Sequence, residues 1–466
     1  MESSLLIHEK ELKHMIDLDN VLLDTIVECA KNVYRKTVER IDDLIARYRD
    51  RALSITHRRE TWYRTRLGLI RITRRRYRYP DGSYHYPLDE LLGMEKYRHT
   101  TAAVHTLVVD LASQMPFRRS AEVVHKTTSV EISYKTIHRM LQKVAERHLA
   151  QWDHTLQWFL HTGALPESEE KKVDHLLVEA DGTMLSLQRE KARKAEAKAG
   201  IVYEGWEQVG KDRYRTVNKS VYMDIAHGDT FWAGMTLKLH EKYKLEHISD
   251  VIIGGDGASW IKDGVSYLGG RYQLCRYHLN RELCAALGHD KPTMKLVQQA
   301  CHMGNTATAL KLLDQAAHKA PHDKAKAIKK VTRYICSNAT GLTDYRREMK
   351  LPATQLRRTG AIEGNIDKLV AKRMKNQGMS WTINGIRHML CVRSLVLEGK
   401  LADYCTPVNP AYTPSTPHGK RINRVIDKMT QQNYEQYFSS GLPALYGPHA
   451  SRSWVKLLKS LTGVSI

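Results

Sequence analysis

The sequence predicts an α/β sheet domain preceded by a mainly helical region that includes a small β-hairpin unit. Beyond residue 172, short apolar runs typical of buried strands, such as residues 175–180 and 251–253, are interspersed with helical patterns. Strands followed by alternating helices and strands are typical of an α/β sheet. Residues 278–350 are rich in Ala, Lys and Leu, and this composition predicts helices.

Composition and charge narrow the class of protein. The 466 residues contain 73 Lys and Arg against 51 Asp and Glu, a formal net charge of +22. So large a positive excess favours a polyanionic partner over the role of a neutral metabolic enzyme. Apolar runs fall short of the roughly 18 residues that span a bilayer, and residues 1–14 lack the apolar core of a signal peptide. With seven scattered cysteines, we expect a cytosolic protein with reduced thiols and no membrane association.

The first elements of the chain are predicted from periodicity and turn signals. Residues 4–50 carry a helical apolar spacing without Pro or Gly, which predicts a long helix and a candidate oligomer contact. Residues 65–87 are predicted to form strands, with a turn at Pro80-Asp81-Gly82. A small β-hairpin unit is the simplest structure for this stretch.

Arginines are concentrated over residues 57–79, where nine of them accompany one acid, Glu60. Tyrosine and tryptophan side chains lie among them, and arginine forks grip phosphate while aromatic faces stack on bases. A solvated strand face is the alternative interpretation. The candidate DNA contacts in this run are Arg58, Arg59, Arg64, Arg66, Arg74, Arg75 and Arg76.

Helices are predicted over residues 101–115, from about Ser120 to His125, and from Ser133 onward, with Ser133 as N-cap. A short helix, a turn and a new helix make the outline of a helix-turn-helix, in which early residues of the second helix meet base edges. Tyr134, Lys135 and His138 would then be the candidate contacts. An ordinary helical hairpin is the alternative.

Two acids end apolar runs of the predicted sheet: Asp181 within Val178–Gly182 and Asp256 within Ile253–Gly257. Because functional groups collect at the carboxyl ends of strands in α/β sheets, these side chains are candidate catalytic groups. Each has a structural alternative, since Asp-Gly is a common hairpin turn and Asp256 could cap the helix that begins near Ala258.

A third acid, Glu363, is predicted in the first turn of a helix that continues through Lys372, Arg373 and Lys375. Glu363 could merely complement the helix N-terminus. However, three carboxylates together with bound phosphate suit Mg²⁺, which prefers oxygen ligands. Two such ions can activate an attacking oxygen and stabilise a leaving oxygen. The three cations are candidate phosphate contacts.

The order Asp181, Asp256, Glu363, at intervals of 75 and 107 residues, resembles that of DDE transposases with a ribonuclease-H-like catalytic core. The long second interval resembles the Mutator-like group, in which a helical insertion precedes the last acid, and Cys275 with His278 resembles the Cys-x-x-His signature of that group. More narrowly, the ISLre-type family of bacterial insertion-sequence transposases is similar in the following stretches: Glu179–Gly182, Gln188–Lys191, Gly200–Trp206, Gly255–Ile261 and Gly378–Trp381.

This resemblance implies an activity and its requirements. The protein would bind terminal inverted repeats, cut the strand and join 3′-OH ends to target DNA. Asp181, Asp256 and Glu363 would be the metal-binding catalytic residues, with Mg²⁺ or Mn²⁺ as cofactor. Double-stranded DNA would be the partner, a homo-oligomer the acting form, and the bacterial nucleoid in the cytoplasm the location. Glu179 and Glu348 are the nearest competing acids.

The sequence patterns and the resemblance together predict the domains. They are an N-terminal helical segment (1–56), a basic β-hairpin unit (57–99), a helix-turn-helix-like region (100–165), a ribonuclease-H-like domain (173–289 and 351–400), a helical insertion (290–350) and a C-terminal tail (401–466).

Several alternatives remain at this stage. Cys275 and His278 are expected to support a strand-to-helix turn, but they could form half of a zinc site with Cys284, His289, Cys301 or His302. A structure-selective nuclease on the same core would cut branched DNA without preference for element ends. A non-catalytic DNA-binding protein derived from a transposase would bind DNA without cutting it.

Overall fold

A computed structural model describes residues 15–94, 99–167, 171–347, 349, 357–375 and 378–405. Predictions for Glu348, for the first 14 residues, for 351–356 and for the tail from residue 406 onward therefore lie outside the described residues. The protein is a mixed α/β structure with many helices. Among the described helices, none combines the length and the apolar character that crossing a membrane requires.

The helices and strands follow one another in this order: α1 (Met15–Tyr48), β1 (Ser54–Thr65), β2 (Gly68–Arg78), β3 (Tyr84–His85), α2 (Pro87–Leu91), α3 (Ala102–Gln114), α4 (Phe117–Thr128), α5 (Tyr134–Thr162), β4 (His175–Ser186), β5 (Lys194–Tyr203), β6 (Gly205–Gly210), β7 (Arg213–Val217), β8 (Ser220–Asp224), α6 (Gly228–His240), β9 (Asp250–Gly255), α7 (Ser259–Lys262), α8 (Gly264–Leu268), β10 (Arg271–Leu274), α9 (Arg276–Leu287), α10 (Lys291–His302), α11 (Thr306–Lys319), α12 (His322–Ser337), α13 (Ala361–Ile366), α14 (Lys372–Met374), α15 (Ile383–Leu397) and α16 (Leu401–Cys405). A π-helical turn over Asp367–Ala371 joins α13 to α14.

The described residues divide into two compact units. The first contains the chain up to Val109, Phe117–Ile137 and Cys405. The second contains Asp110–Pro116 and His138–Tyr404.

In the first unit, α1 lies against a three-stranded antiparallel sheet of order β1-β2-β3. Apolar side chains from α1, including Val38 and Ile45, pack with Tyr63, Ile72 and Tyr77 of the sheet. Each large apolar side chain buried in this way contributes about 1.5–3 kcal/mol. The inner side of α1 thus holds the sheet.

The basic hairpin begins earlier than the sequence predicts. Strand β1 starts at Ser54 and pairs with β2 from Ser54↔Arg78 to Thr65↔Gly68, so the chain reverses at Arg66 and Leu67. The predicted turn at Pro80–Gly82 exists, but it leads only to the two-residue strand β3. The first seven residues of β1 are all exposed, so they carry no apolar alternation that could reveal a strand.

The second unit contains a five-stranded mixed sheet of order β10-β9-β4-β5-β8. Strands β4, β5 and β8 are antiparallel neighbours, whereas β4, β9 and β10 run parallel. The core on this sheet is formed by buried apolar side chains of β4 and β9 with Phe231 and Trp232 of α6. Val297, Leu313 and Val331 of α10, α11 and α12 extend the same core, so the helices over 291–337 pack as part of this unit.

Asp181 lies inside a strand rather than at a strand end, which corrects the prediction from the sequence. Strand β4 continues to Ser186 because its pairing with β5 runs on to Ser186↔Lys194. Its parallel pairing with β9, however, stops at Glu179↔Gly254. Asp181 therefore stands where β4 extends past its parallel neighbour, and the hairpin-turn alternative for Asp181-Gly182 is wrong.

Candidate active site

Three elements of the second unit carry the predicted acids. Asp181 is on β4, Asp256 directly follows β9, and Glu363 is in the first turn of α13, which packs against β4. The parallel register ends at Glu179↔Gly254, two residues before Asp181 on β4 and two residues before Asp256. Because side chains alternate along strands, Asp181 points to the same face as Glu179.

The carboxylate of Asp181 is held in an environment that disfavours its charge. Burial, together with the nearby carboxylates of Asp256 and Glu363, raises the pKa of Asp181 to about 6, although the Gly182 N–H, 2.7 Å from Oδ1, acts to lower the pKa. A charged group shifts the pKa of a neighbour in this way only over a short distance. The structure thus brings the three predicted acids into one electrostatic neighbourhood.

Asp256 accepts two hydrogen bonds directly after β9. Its Oδ1 accepts a hydrogen bond from the Ala258 N–H at 2.9 Å, just before α7 begins. Tyr334 of α12 donates to the Asp256 carbonyl oxygen. The N-cap residue of α7 is Ala258, and no side chain caps this helix, so the Asp256 carboxylate forms a local turn with the Ala258 N–H rather than the helix cap expected as an alternative.

Glu363 is held from one side by the start of α9. Its Oε1 accepts a hydrogen bond from Cys275 Sγ at 2.6 Å and lies 3.2 Å from His278 Nδ1. Its Oε2 is buried without a hydrogen-bond partner. Burial pushes the pKa of Glu363 upward, but the His278 and Cys275 contacts outweigh burial and hold the pKa below its ordinary value.

Cys275 and His278 occupy the strand-to-helix turn that the sequence predicts for them. Cys275 follows β10 as the N-cap residue of α9, and its N–H donates to the Gly255 carbonyl oxygen at 2.8 Å. The contact with the Glu363 carboxylate raises the pKa of His278, and burial raises the pKa of the Cys275 thiol. Cys275 thus donates to Glu363 as a protonated thiol.

Glu179, a competing acid in the sequence, has a structural role. Its side chain is 1% exposed and accepts hydrogen bonds from the Tyr203 hydroxyl, from Gly360 N–H at 2.7 Å and from Ile362 N–H at 3.2 Å. Gly360 has φ of +138°, a conformation open to glycine. A carboxylate at a helix N-terminus is stabilising, so Glu179 fixes the start of α13. The signal in the sequence is an acid inside an apolar run.

The donor chemistry of these carboxylates suits a hard divalent cation such as Mg²⁺, although the ligand atoms of Asp181, Asp256 and Glu363 do not all lie within 4.8 Å of one another. Glu363 Oε2 is a buried carboxylate oxygen without a partner, and the anion of Asp181 is destabilised by burial and, to a smaller extent, by the neighbouring acids. Oxygen atoms are the ligands that Mg²⁺ takes, and one or two carboxylates with substrate phosphate are the usual set. A cation between them would satisfy Glu363 and relieve the mutual repulsion.

The predicted phosphate contacts after Glu363 differ in how far they are buried. Lys372 and Lys375 are exposed, and Lys375 Nζ lies 3.3 Å from Thr183 Oγ1, two residues beyond Asp181. Arg373 is 3% exposed and donates from Nε and Nη2 to the Ala112 carbonyl oxygen at 3.1 and 3.0 Å. This burial contradicts a phosphate contact at Arg373, because its guanidinium binds backbone inside the unit.

The arginines of residues 57–79 in the first unit also differ in their exposure to solvent. Arg58, Arg59 and Arg66 are exposed, whereas Arg64 and Arg76 are half-buried. Their predicted role as DNA contacts stays a prediction.

Arg74 and Arg75 require a correction, because both are buried. Arg74 Nε lies 2.6 Å from Asp89 Oδ1, and Arg75 pairs with Asp42 and, at 2.7 Å, with Asp43. Buried ion pairs remain where each charge has a partner. These two arginines hold the sheet to α1 and α2, and the charge run alone could not distinguish them from exposed ones.

The helix-turn-helix prediction rests on α4 and the start of α5. Ser133 caps α5, its Oγ accepting from the Thr136 N–H at 3.2 Å. Tyr134 is 40% exposed, and Lys135 and His138 are exposed. Arg118 of α4 lies over the Tyr134 ring at 5.2 Å. The predicted helices and their cap are therefore present, and base contact stays a prediction.

Two distant motifs of the resemblance meet in the second unit. Trp381 pairs with the end of β4, its N–H donating to the Ser186 carbonyl at 3.0 Å and its carbonyl accepting from Gln188 N–H at 2.9 Å. Gln188 Nε2 also donates to the Ser380 carbonyl at 3.0 Å. The motif near residue 380 therefore secures the strand that carries Asp181.

The alternative zinc ligands considered for Cys275 and His278 do not lie in a cluster with them. Among the described residues, the one grouping with metal-ligand spacing is Cys275, His278 and Glu363, whose ligand atoms lie within 4.8 Å of one another. Cys284, His289, Cys301 and His302 are not part of it.

A family model described as "Uncharacterised protein family (UPF0236)" matches residues 9–405. The chain belongs to the UPF0236 family. A UPF0236 protein of Caldanaerobacter subterraneus subsp. tengcongensis is 25% identical over 324 residues, which cover 68% of this chain and 63% of the relative. The match thus spans less than two thirds of that relative's length. A UPF0236 protein in the vanSb 3′ region of Streptococcus gallolyticus is 24% identical over 432 residues, covering 90% of this chain and 91% of the relative.

Among solved structures, this UPF0236 chain is similar to the Drosophila P element transposase strand transfer complex. The match covers 72% of this chain and 87% of that chain at 11% identity, with a TM-score of 0.22. A superposition this loose does not establish a common fold.

Proposed function

We propose that this UPF0236 protein is a DNA transposase that binds the terminal inverted repeats of its element and catalyses metal-dependent strand cleavage and strand transfer. The observation that carries the proposal is that Asp256, directly after β9, and Glu363 of α13 lie near enough to Asp181 of β4 to raise its pKa. Clustered acids are costly without a cation, so a site built from them favours metal chemistry over a stabilising role.

The topology of the sheet supports a ribonuclease-H-like core. Renumbered from β4, the strand order is 3-2-1-4-5, with the first three strands antiparallel and the last two parallel to the first. In this arrangement the acid of the first strand and the acid after the fourth are neighbours. A helical stretch, α10–α12, separates them from Glu363, as the resemblance implies.

Asp181, Asp256 and Glu363 would hold the Mg²⁺ or Mn²⁺ ions. When bound, such ions activate an attacking oxygen and stabilise the leaving oxygen of an in-line displacement. The chain itself orients the ligands: Glu179 fixes the start of α13, Cys275 and His278 fix Glu363 Oε1, and Ala258 N–H fixes Asp256 Oδ1. Lys372 and Lys375 are exposed cations that would bind phosphate of the DNA strand.

The test is a cleavage assay with the full-length protein. The substrate is end-labelled duplex DNA carrying the sequences that flank the gene, with scrambled flanks as control, in Mg²⁺ and in EDTA. We expect strand cuts at a defined position in the flanking DNA only with Mg²⁺, followed by joining of the 3′ ends to a target plasmid.

The rival functions give different results in the same assay. A structure-selective nuclease would cut branched DNA equally well with scrambled flanks. A non-catalytic DNA-binding protein would bind the flanking DNA and leave it uncut in Mg²⁺. Either outcome would overturn the proposal.

Self-association is part of the proposal. On α1, Leu23, Ile26 and Val33 are 58%, 60% and 61% exposed. With Ala30 they follow the 3-4-3 spacing of a coiled-coil seam, which pairs with an identical seam in a second copy. We therefore expect a homo-oligomer built through α1.

A further inference from the structure

Beside the carboxylates, a second set of candidate metal ligands lies around Glu363. Cys275 Sγ, a ring nitrogen of His278 and a carboxylate oxygen of Glu363 lie within 4.8 Å of one another, and all three side chains are buried or half-buried. Sulfur, imidazole nitrogen and carboxylate oxygen together form a mixed donor set. Mg²⁺ binds oxygen and does not select sulfur, whereas Zn²⁺ is bound by all three donors.

The local structure holds these three side chains close together. Cys275 is the N-cap residue of α9 and His278 lies three residues later, a spacing that places both side chains on one side of the first turn. Glu363 reaches them from α13, whose start is tied to Glu179. Cys275 Sγ is 2.6 Å and His278 Nδ1 is 3.2 Å from the same oxygen, Oε1.

A second observation at the same place points to a ligand. Glu363 Oε2 and His278 Nδ1 are buried atoms whose hydrogen-bonding capacity is not met with good geometry. Buried polar atoms are nearly always satisfied, so exceptions call for an explanation such as a bound ion. An ion between the three side chains would take up the capacity of both atoms.

We propose that Cys275, His278 and Glu363 form a binding site for Zn²⁺ or a similar borderline-soft divalent ion, distinct in ligand chemistry from the Mg²⁺ site. On binding, the Cys275 S–H bond breaks, its proton leaves to solvent, and the sulfur electron pair forms the bond to the ion. Three protein ligands leave a fourth position for water or a further oxygen. The thiolate and the carboxylate together neutralise the charge of the ion.

One consequence rests on the proposed function. Glu363 belongs to both ligand sets, so an ion bound to Cys275 and His278 withdraws this carboxylate from Asp181 and Asp256. Zn²⁺ would therefore inhibit Mg²⁺-dependent strand cleavage. The binding of Zn²⁺ itself does not depend on the protein being a transposase.

The primary test uses Co²⁺ as a spectroscopic substitute for Zn²⁺ on full-length protein that has been stripped of metal. We expect a thiolate-to-cobalt charge-transfer band and visible bands typical of a tetrahedral site, which Zn²⁺ abolishes by displacement. The Cys275→Ser variant should lose the charge-transfer band. The matched control is Cys284→Ser, since Cys284 is an exposed cysteine on the same helix, and it should retain the band.

A measurement on the wild type tests the site without a variant, which could fail to fold. X-ray absorption of the Zn²⁺-loaded protein should show one sulfur at about 2.3 Å together with nitrogen and oxygen at about 2.0–2.2 Å. A shell without sulfur, or a cobalt band that survives Cys275→Ser and disappears in Cys284→Ser, would overturn the site. So would the absence of a cobalt band in folded wild-type protein.

The two proposals fail separately. Protein that cuts element-end DNA with Mg²⁺ but gives no thiolate band refutes the zinc site alone. Protein that binds Co²⁺ through Cys275 but never cuts DNA refutes the transposase alone.

Discussion

Glu179 accepts a hydrogen bond from the backbone N–H of Gly360, 2.7 Å away, and so ties the middle of β4 to the start of the helix that carries Glu363. The same oxygen accepts the Ile362 N–H. Two residues along β4 stands Asp181. One strand thereby supplies a candidate metal ligand and the support that positions another ligand, far away in sequence.

The first prediction concerns Asp181. Replacing it with Asn should reduce Mg²⁺-dependent cleavage more than the roughly 10–100-fold typical for loss of an outer-shell partner, because a metal ligand itself is removed. Binding of the same DNA, measured by fluorescence anisotropy, should be unchanged. Asp323→Asn, at an exposed position in the first turn of α12, is the control. Equal loss of cleavage and binding would contradict the assignment.

The second prediction separates support from ligation at Glu179. Glu179→Ala leaves two backbone N–H groups and the Tyr203 hydroxyl without a partner, and each such buried group costs about 1–3 kcal/mol in the free energy of unfolding. Glu179→Gln keeps an acceptor for the backbone and can donate to Tyr203. We expect chemical denaturation to show a large loss of stability for Ala and a smaller one for Gln.

Cleavage by the Glu179→Gln variant checks this interpretation. If Glu179 only positions α13, the variant should retain much more activity than Asp181→Asn. If the two variants are equally inactive while folded, Glu179 is itself a metal ligand.

The third prediction concerns the arginines of the first unit. Changing the exposed Arg58, Arg59 and Arg66 to Gln should lower the salt dependence of DNA binding, by about 0.9 in the log–log slope for each phosphate that is no longer neutralised. Thermal stability should stay the same, since exposed charges contribute little. An unchanged slope would remove these side chains from the DNA interface.

Arg75→Gln is the matched comparison within the same hairpin. It leaves Asp42 buried without its cation, and breaking such a pair costs about 3–5 kcal/mol. We expect the free energy of unfolding to fall sharply. A variant as stable as the wild type would show that the Asp42 pair does not hold the sheet to α1.

The fourth prediction concerns His148, whose pKa burial lowers to about 4. Its ring stacks on Trp152 and meets the Tyr404 ring edge-on. At a pH between this value and the unfolded pKa of about 6.5, His148 is protonated in the unfolded chain and neutral in the folded chain. Stability should therefore decline as pH falls from about 6.5 to about 4, by at most about 3 kcal/mol.

His148→Phe keeps an aromatic ring between Trp152 and Tyr404 but cannot titrate. Urea unfolding at several pH values should give a flatter pH dependence for this variant across the same range. The same decline in both proteins would mean that another group is responsible.

The fifth prediction concerns self-association through α1. Changing Leu23, Ile26 and Val33 together to Ser removes the exposed apolar seam without touching the core residues Val38 and Ile45. Light scattering should show a smaller species than the wild type, whereas Asp24→Ser should leave the mass unchanged. A wild type that is monomeric over the accessible concentration range would refute the expectation.

The sequence by itself determined the kinds of elements and the candidate chemistry. Apolar runs marked β4 and β9, and helical composition marked α10–α12, because burial imposes hydrophobic patterns that local sequence must carry. Asp181, Asp256 and Glu363 were predicted from their positions after or beside such runs and from the resemblance. Ser133 as a cap was predicted likewise, since capping is a local interaction.

Only the tertiary structure decided which charges serve the fold. Arg74, Arg75 and Arg373 look like their exposed neighbours in sequence, yet they are buried against Asp89, Asp42 and the Ala112 carbonyl. Glu179 holds α13, and Cys275 with His278 meets Glu363, across separations of 85 to 183 residues. A charged side chain has the same local signature whether its partner is water, phosphate or a distant carboxylate, so only the folded chain can assign it.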